Sequence, residues 1–485
     1  MVSGLMKAGL SLRKTDISQY AMPRKVWSYL GLQFLLIGWL SEIIAAYVAR
    51  DDWWVNGAWC VLTGVLLLLV LRKAFAGGMS VLLCDHLVML SIAFLTYFVI
   101  GASLLSFGPE AQIENAVGYY RIGAAEAMRV NGANAIGFGV MLLVAARSSS
   151  RWMGRAAAAL SITAAKIPVY PAILFFLVVG VGATLNTLAV DLGVNDGIVD
   201  GVWRTVAKFT YIAIFLGASY SGKGEHWLRI AVIAVTVCLS ALGLFLFNKT
   251  ELLLPIGTLV VGLSIRYSSR KILFGGVFVI LLIFSLVGNV VTYSRNTFTD
   301  DGYGSIAPRV SVILDGFQSS SRETVEGEYH AWARFCYTPP LAAAMNFYDS
   351  GRGGEDFELL PWLFVPRFFA PDKPVISQSG ADFHTKVTGQ TGSSTGLGIF
   401  VSGYYNAGWL GLLVASAMCG WVLAQTSRVA VEIVSRRSLV LMPFAFMGVY
   451  MAFRIDGHFV VDYLGVFIFL LYPLLLVSAF VARRR

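Results

Sequence analysis

Apolar runs of about 20 residues, the length of helix that crosses a hydrocarbon core of about 30 Å, recur along most of this 485-residue chain. They fall at roughly 26–49, 54–71, 81–107, 131–146, 167–190, 205–221, 228–247, 252–265, 272–292, 397–424, 438–455 and 459–481. Inside lipid every backbone N–H and C=O must be satisfied internally, which leaves helices and closed barrels. Barrel strands need only about 10 alternating residues each. The runs therefore predict an all-α, polytopic membrane protein with about twelve transmembrane helices. Composition agrees: charged residues are 13% of the chain, about half the share in a soluble domain, and mean hydropathy is +0.71.

The cations orient the spans. With the N-terminus cytoplasmic, the inside segments carry 22 of the 37 Lys and Arg residues, including Arg72, Arg147, Arg266, Arg428 and the Arg483–Arg485 end. Eight of the other 15 lie in one long segment, Tyr293–Gly396, so the short external loops and span ends share only seven. The positive-inside rule then puts both termini in the cytoplasm. The organisation read from this is a basic tail at 1–25, spans one to nine over 26–292, a large periplasmic loop or cap at 293–396, spans ten to twelve over 397–481, and a basic end at 482–485. The expected location is a bacterial inner membrane. The net charge of +9 follows from this anchoring and gives no reason to expect nucleic acid.

Other chemistries lack their residues. The five cysteines, Cys60, Cys84, Cys238, Cys336 and Cys419, show no CxxC spacing, and there is no GxxxxGK[ST] loop or HExxH. No metal site and no cofactor are predicted. Asp85 and His86, adjacent near the inner end of the third span, read as a buried polar pair.

Polar chemistry is concentrated in the long external segment. Val310, Ile313, Leu314 and Phe317 recur at i, i+3, i+4, i+7 and predict a short helix; a second is expected from about Leu341 to Tyr348. Leu359-Leu360-Pro361-Trp362-Leu363-Phe364-Val365-Pro366 is too short and proline-broken to span, and is expected in the outer headgroup layer or against the spans. Pro366-Arg367-Phe368-Phe369-Ala370-Pro371-Asp372-Lys373-Pro374 follows, with three prolines stiffening a segment that carries Arg367 and Lys373. A guanidinium offers a planar fork to phosphate oxygens and an ammonium adds a compact charge; a turn-rich surface loop reads the same way. Gly392-Ser393-Ser394-Thr395-Gly396-Leu397-Gly398 then leads into Ser402-Gly403-Tyr404-Tyr405-Asn406-Ala407-Gly408-Trp409-Leu410-Gly411. There the glycines permit close backbone approach and Tyr404, Tyr405 and Asn406 can bond sugar hydroxyls, or the string packs helices and forms an aromatic belt.

With the multi-span layout and one dominant late loop, the Pro-Arg…Asp-Lys-Pro segment at Pro366–Pro374 and the Asn-x-Gly-x-x-Gly string at Asn406–Gly411 resemble the O-antigen polymerase (Wzy-type) family of polysaccharide repeat-unit polymerases. Members often carry a Gly-Glu-x-Tyr pattern where this chain has Gly403-Tyr404-Tyr405. The resemblance implies a GT-C-like membrane glycosyltransferase, without cofactor, that joins polyprenyl-diphosphate-linked oligosaccharides at the periplasmic face and releases a lipid diphosphate. Its implied partners are that lipid-linked donor and acceptor, the bilayer, a chain-length regulator and a flippase.

Such a reaction needs cations for the leaving diphosphate. Arg367 and Lys373 are the first candidates, then Arg295 at the end of the ninth span and Arg334 in Trp332-Ala333-Arg334-Phe335. Arg129, before the fourth span, and Arg454, in Arg454-Ile455-Asp456-Gly457-His458, follow as headgroup-depth cations that anchor or bind. An acceptor hydroxyl needs a base, and an imidazole, with its ordinary pKa near 6.5, suits neutral pH. Asp382-Phe383-His384 is preferred over His330 because it lies closer to the Pro-Arg segment.

Arg50-Asp51-Asp52-Trp53, in the first external loop, resembles the acidic site of another membrane glycosyltransferase group, or is a polar stop between spans. An O-antigen ligase would use a similar late loop. A lipid-linked oligosaccharide transporter would need ionisable residues at mid-membrane, which the sequence pattern largely avoids. A scaffold for a glycan assembly complex would use the loop as a docking cap.

Overall fold

The computed structural model describes residues 22–76, 78, 81–148, 168–191, 200–220, 226–297, 306–319, 332, 335–365, 369–370, 373–374, 379–389, 394–436 and 438–464. Among these the secondary structure is entirely helical. The principal helices are α1 (Arg24–Ala45), α2 (Trp53–Ala76), α3 (His86–Phe107), α4 (Ala124–Arg147), α5 (Val169–Asp191), α6 (Phe209–Tyr220), α7 (His226–Phe245), α8 (Lys249–Arg266), α9 (Arg270–Thr297), α10 (Ile306–Ser319), α11 (Thr338–Asp349), α12 (Ser379–Thr388), α13 (Ile399–Ser435) and α14 (Met442–Phe453). Eight of the described helices, α1 to α5, α7, α9 and α13, are long and apolar enough to cross a membrane, and α6 and α14 are shorter apolar helices. The protein is thus a helical membrane protein. The predicted runs at 205–221 and 438–455 coincide with those shorter helices, and most of 459–481 lies outside the described residues.

The helices form two compact units. One holds the described residues of Ala164–Ala331 and Arg437–Pro443, and the other those of Asp16–Thr163, Trp332–Arg436 and Phe444–Arg485. The described residues of 293–396, the segment expected as one cap, fall in both units. In the first unit α5 to α9 pack in sequence and α10, the predicted Val310–Phe317 helix, lies on α9. Buried Arg309 places its guanidinium over the Phe245 and Phe247 rings.

The second unit is built round α4. Its glycines Gly132 and Gly139 meet Gly38 and Gly31 of antiparallel α1 so closely that a Cβ at any of the four would lie within 3.0 Å of the opposing backbone carbonyl oxygen. Small residues of this kind let membrane helices approach backbone to backbone. A ring cluster of Phe34, Phe94 and Phe138, with centroids 4.3 to 5.4 Å apart, fills the space beside them. Asp85 and His86 are both buried but are not paired: Asp85 accepts from the backbone of Met22 and Leu87 and from Trp27 Nε1, and His86 Nδ1 meets Thr426 Oγ1 at 2.8 Å. The carboxylate serves as an N-cap for α3, which the neighbouring imidazole cannot share.

The 397–424 run, expected as a single crossing, is folded back on itself. Ala407 (φ −152°, ψ 29°) and Gly408 (φ 59°, ψ −149°) break the 37-residue α13 into two limbs. Along the first limb Phe400 packs on Gly137 and Tyr404 reaches Arg129, so the chain climbs toward the Arg129 end of α4. Along the second limb Gly420 packs on Met141 and Arg428 donates to the Ser148 carbonyl, so the chain descends toward the Arg147 end. The limbs touch at glycines, where a Cβ on Gly403 would sit 2.6 Å from Gly411 O and one on Gly411 2.1 Å from Gly403 O. α13 is a re-entrant helical hairpin whose first limb starts within the bundle.

That geometry sets the depth of what lies at its base. Gly398 N donates to Asp456 O and Ile399 N to Ile455 O, each at 3.0 Å. Phe400, next along the limb, lies at Gly137, eight residues and so about 12 Å along α4 from Arg129. The Arg454–His458 turn, expected at headgroup depth, is instead sunk near the middle of α4's length.

Candidate functional site

Two polar groups meet the hairpin in the second unit. The deeper one joins the non-helical Thr395–Gly398 stretch to the Arg454–His458 turn. Thr395 presents two oxygens to two histidines: its carbonyl lies 3.1 Å from His458 Nε2, and its hydroxyl 2.9 Å from His384 Nδ1. The position is enforced by close backbone packing. Thr395 N donates to Gly380 O at 3.0 Å, and a Cβ on Gly380 would come within 2.9 Å of His458 Nε2. His384 and His458 are both buried. Arg454 Nε sits 3.5 Å from Asp456 Oδ1, whose second oxygen accepts from Tyr337 OH at 3.1 Å.

Asp356 ties this group to the hairpin. Its backbone N–H donates to Asn406 Oδ1 at 2.6 Å, and Asn406 Nδ2 donates to Asp356 Oδ2 at 3.3 Å and to Ser402 O at 2.8 Å. His458 Nδ1 lies 3.7 Å from the same carboxylate oxygen. His458 thus has a carbonyl within hydrogen-bond reach of Nε2 and a carboxylate facing Nδ1 at a longer distance. Burial alone would raise the Asp356 pKa, but His458, Ser379 and Asn406 outweigh it and hold the carboxyl below its ordinary range. Next to it the Tyr405 hydroxyl is buried without a hydrogen-bond partner, in the field of Asp356, Glu355 and Asp382.

The second group is centred on Arg129. Asp349, the last residue of α11, is gripped by Arg129 on one oxygen and by Tyr404 OH, at 2.8 Å, on the other; Arg129 also donates to Tyr404 OH at 2.6 Å. Burial would raise the Asp349 pKa, yet the bonds from Arg129 and Tyr404 prevail and lower it. Tyr348 and Trp409 flank the Tyr404 ring, with centroids 5.3 and 5.4 Å away.

The structure thus brings together Arg129, Tyr404, Tyr405, Asn406, His384 and Arg454 from the sequence-predicted set. It gives Arg129 and Arg454 carboxylate partners, so each would meet a phosphate with its charge already partly balanced. Asp382 is exposed, and the described partner of His384 Nδ1 is Thr395. On a helix, side chains two positions apart point to different faces. Lys373 turns its Nζ to the Val365 carbonyl at 2.9 Å. Arg295 lies near the end of α9, in the other unit, with its side chain outside the described residues; Arg367, Arg334 and His330 are also outside them.

Sequence reasoning did not single out Thr395, Asp349 or Asp356, and read His458 only as part of a polar turn. The packing of Arg, Asp and His into that turn was a usable signal. Asp356 gave none, because its partner Asn406 is 50 residues away. Chemically the site offers an imidazole oriented by a hydroxyl, a carboxylate–imidazole pair, an arginine and hydrogen-bonding groups for hydroxyls. No known protein family, curated protein or solved structure matches the chain.

Proposed function

We propose that the protein is a bacterial inner-membrane glycosyltransferase that polymerises polyprenyl-diphosphate-linked oligosaccharide repeat units into O-antigen or another surface polysaccharide, working from the periplasmic side with both termini cytoplasmic. The observation that carries this reading is the junction at Thr395, where an oriented base and a cation–carboxylate pair meet below the Arg129 level of a membrane bundle. Such a site suits a substrate whose lipid lies in the bilayer and whose reacting diphosphate reaches down from the Arg129 level into the bundle.

In this reading the acceptor hydroxyl loses its proton to His384 Nε2, while His384 Nδ1–H is held by Thr395 Oγ1. The hydroxyl oxygen bonds to the anomeric carbon of the donor sugar as that carbon's bond to the diphosphate oxygen breaks. The electron pair leaves with the lipid diphosphate, whose charge is met by Arg454, by a hydrogen bond from His458, and by Arg367 and Lys373 from the Pro-Arg segment. Asp356 orients His458, and Asn406 keeps Asp356 in place. Tyr404, Tyr405 and Asn406 border the path of the sugar hydroxyls.

General acid–base groups typically contribute about 10² to 10⁴ in rate. His384→Gln is accordingly expected to slow repeat-unit transfer by about that factor with the lipid-linked substrate still bound, and Asp356→Asn by a lesser amount. Wild-type turnover in a folded His384→Gln protein would remove His384 from the chemistry.

A further inference from the structure

The stretch after Asp356 is used by neither polar group. Leu359 to Val365 contains no charged residue, and none of the residues in its short helical turn, Leu360–Leu363, is buried. Trp362 is 37% exposed, Phe364 58%, and Phe369 beyond them 76%. The expectation that this segment lies in the headgroup layer or against the spans is thereby narrowed, because much of the Trp362 and Phe364 side chains is left uncovered by the rest of the chain.

Its backbone is prepared for an apolar setting. Phe364 N donates to Pro361 O and Val365 N to Trp362 O, at 3.2 and 3.3 Å, and the Val365 carbonyl takes the Lys373 ammonium at 2.9 Å. Closing such groups internally removes the main penalty of entering a lipid layer. A lysine that folds its stem along an apolar strap and keeps its charge at the edge is the usual arrangement at that boundary.

Depth fixes the partner. The strap leaves the bundle at Asp356, which is bonded to Asn406, two residues past the Tyr404 that meets Arg129. It therefore starts at the tip of the hairpin, about 20 residues before Arg428 on the descending limb, the length of one hydrocarbon crossing. From the same tip Leu410, Val414, Met418 and Trp421 run down α13 as an exposed apolar stripe, 70, 44, 41 and 43% accessible, at the helical spacing of a face turned to lipid. The strap continues that face at its upper end, where Trp and other aromatic side chains concentrate in membrane proteins.

We infer that Leu359–Val365 is a monotopic anchor that inserts Trp362 and Phe364 into the bilayer leaflet at the Arg129 level. It thereby holds the hairpin tip, and Asp356 bonded to it, at that level. The inference does not rest on glycosyl transfer, and its test needs no turnover.

Cys238 is the exposed cysteine of the five, so Cys238→Ala provides a background for Phe364→Cys and, separately, Trp362→Cys, each carrying a nitroxide. The full-length proteins are reconstituted in vesicles of phosphatidylethanolamine and phosphatidylglycerol, and power saturation compares relaxation by oxygen, which partitions into hydrocarbon, with relaxation by a water-soluble nickel chelate. Leu410→Cys supplies the lipid reference and exposed Arg352→Cys the aqueous one. Both strap labels are expected to be relaxed more by oxygen than by nickel, with the sign of Leu410→Cys. Nickel exceeding oxygen at either strap position in a protein whose Leu410→Cys label reports lipid would overturn the anchor, whatever the enzyme assay shows.

Discussion

Replacing Gly408 with alanine tests the hairpin on which both polar groups depend. Its φ of 59° with ψ of −149° falls in a region that residues bearing a Cβ rarely adopt, and holding one there costs about 1–3 kcal/mol. The added Cβ would also sit 2.8 Å from the Tyr348 ring edge and hydroxyl. Tyr348 cannot simply move aside, because its ring packs on Tyr404, whose hydroxyl binds Arg129 and Asp349. Overpacking of this kind adds about 1–3 kcal/mol, for a total of roughly 2–6 kcal/mol, or at least about 30-fold in the folding equilibrium at 1.4 kcal/mol per tenfold.

Reversible unfolding of purified protein, titrated with denaturing detergent in mixed micelles and followed by helicity, reads this loss directly. Gly182→Ala, where nothing lies within 4 Å of the new Cβ, is the control and is expected to stay within about 0.5 kcal/mol of wild type. Tyr348→Ala combined with Gly408→Ala is expected to recover the steric part but leave the backbone part, so the two changes are non-additive. If Gly408→Ala matched Gly182→Ala, the reversal of α13 at Ala407–Gly408 would be wrong.

Three further outcomes follow from the same geometry. Because the folded Asp356 pKa is lowered, its contribution to stability is present above the ordinary carboxylate range, near 3.9, and is lost as pH falls through the lower folded value; Asp356→Asn is expected to flatten that acid limb in a thermal unfolding series, and an unchanged limb would contradict the pairing with His458. Arg129→Gln leaves Asp349 and Tyr404 without their cation, and since the pair is about a third exposed the expected loss is only about 1 kcal/mol by detergent unfolding; a loss several times larger would mean that the contact is more deeply embedded than its exposure implies. Arg367→Ala and Arg367→Lys are both expected to slow repeat-unit transfer if a bidentate diphosphate contact operates, and equal turnover in wild type and both variants would take Arg367 out of the site.

The long apolar helices were legible because hydropathy reports burial in lipid regardless of tertiary detail: the runs at 26–49, 54–71, 81–107 and 131–146 correspond to α1 to α4. The reversal within 397–424 was not, since both limbs of α13 are apolar and only the pairing of Gly403 with Gly411 distinguishes a hairpin from one long span. Missing that turn also misplaced Arg454: a charged residue between two apolar runs reads as a surface loop, and its real depth depends on contacts with Gly398 and Ile399. His384 was legible by residue type and Asn406 by its glycine-rich string. Their partners Thr395 and Asp356 were not, because a hydroxyl and a carboxylate in a long polar segment look alike until folding selects one of each.

The most direct measurement holds the purified protein in nanodiscs with a polyprenyl-diphosphate-linked repeat unit as sole substrate and resolves glycan size alongside released lipid diphosphate. The account predicts a ladder spaced by whole repeat units, with one lipid diphosphate freed per bond formed and both lost in His384→Gln. Well-folded protein that forms no ladder with its cognate unit, yet attaches glycan to an added lipid A core or moves the lipid-linked unit across the bilayer, would contradict it.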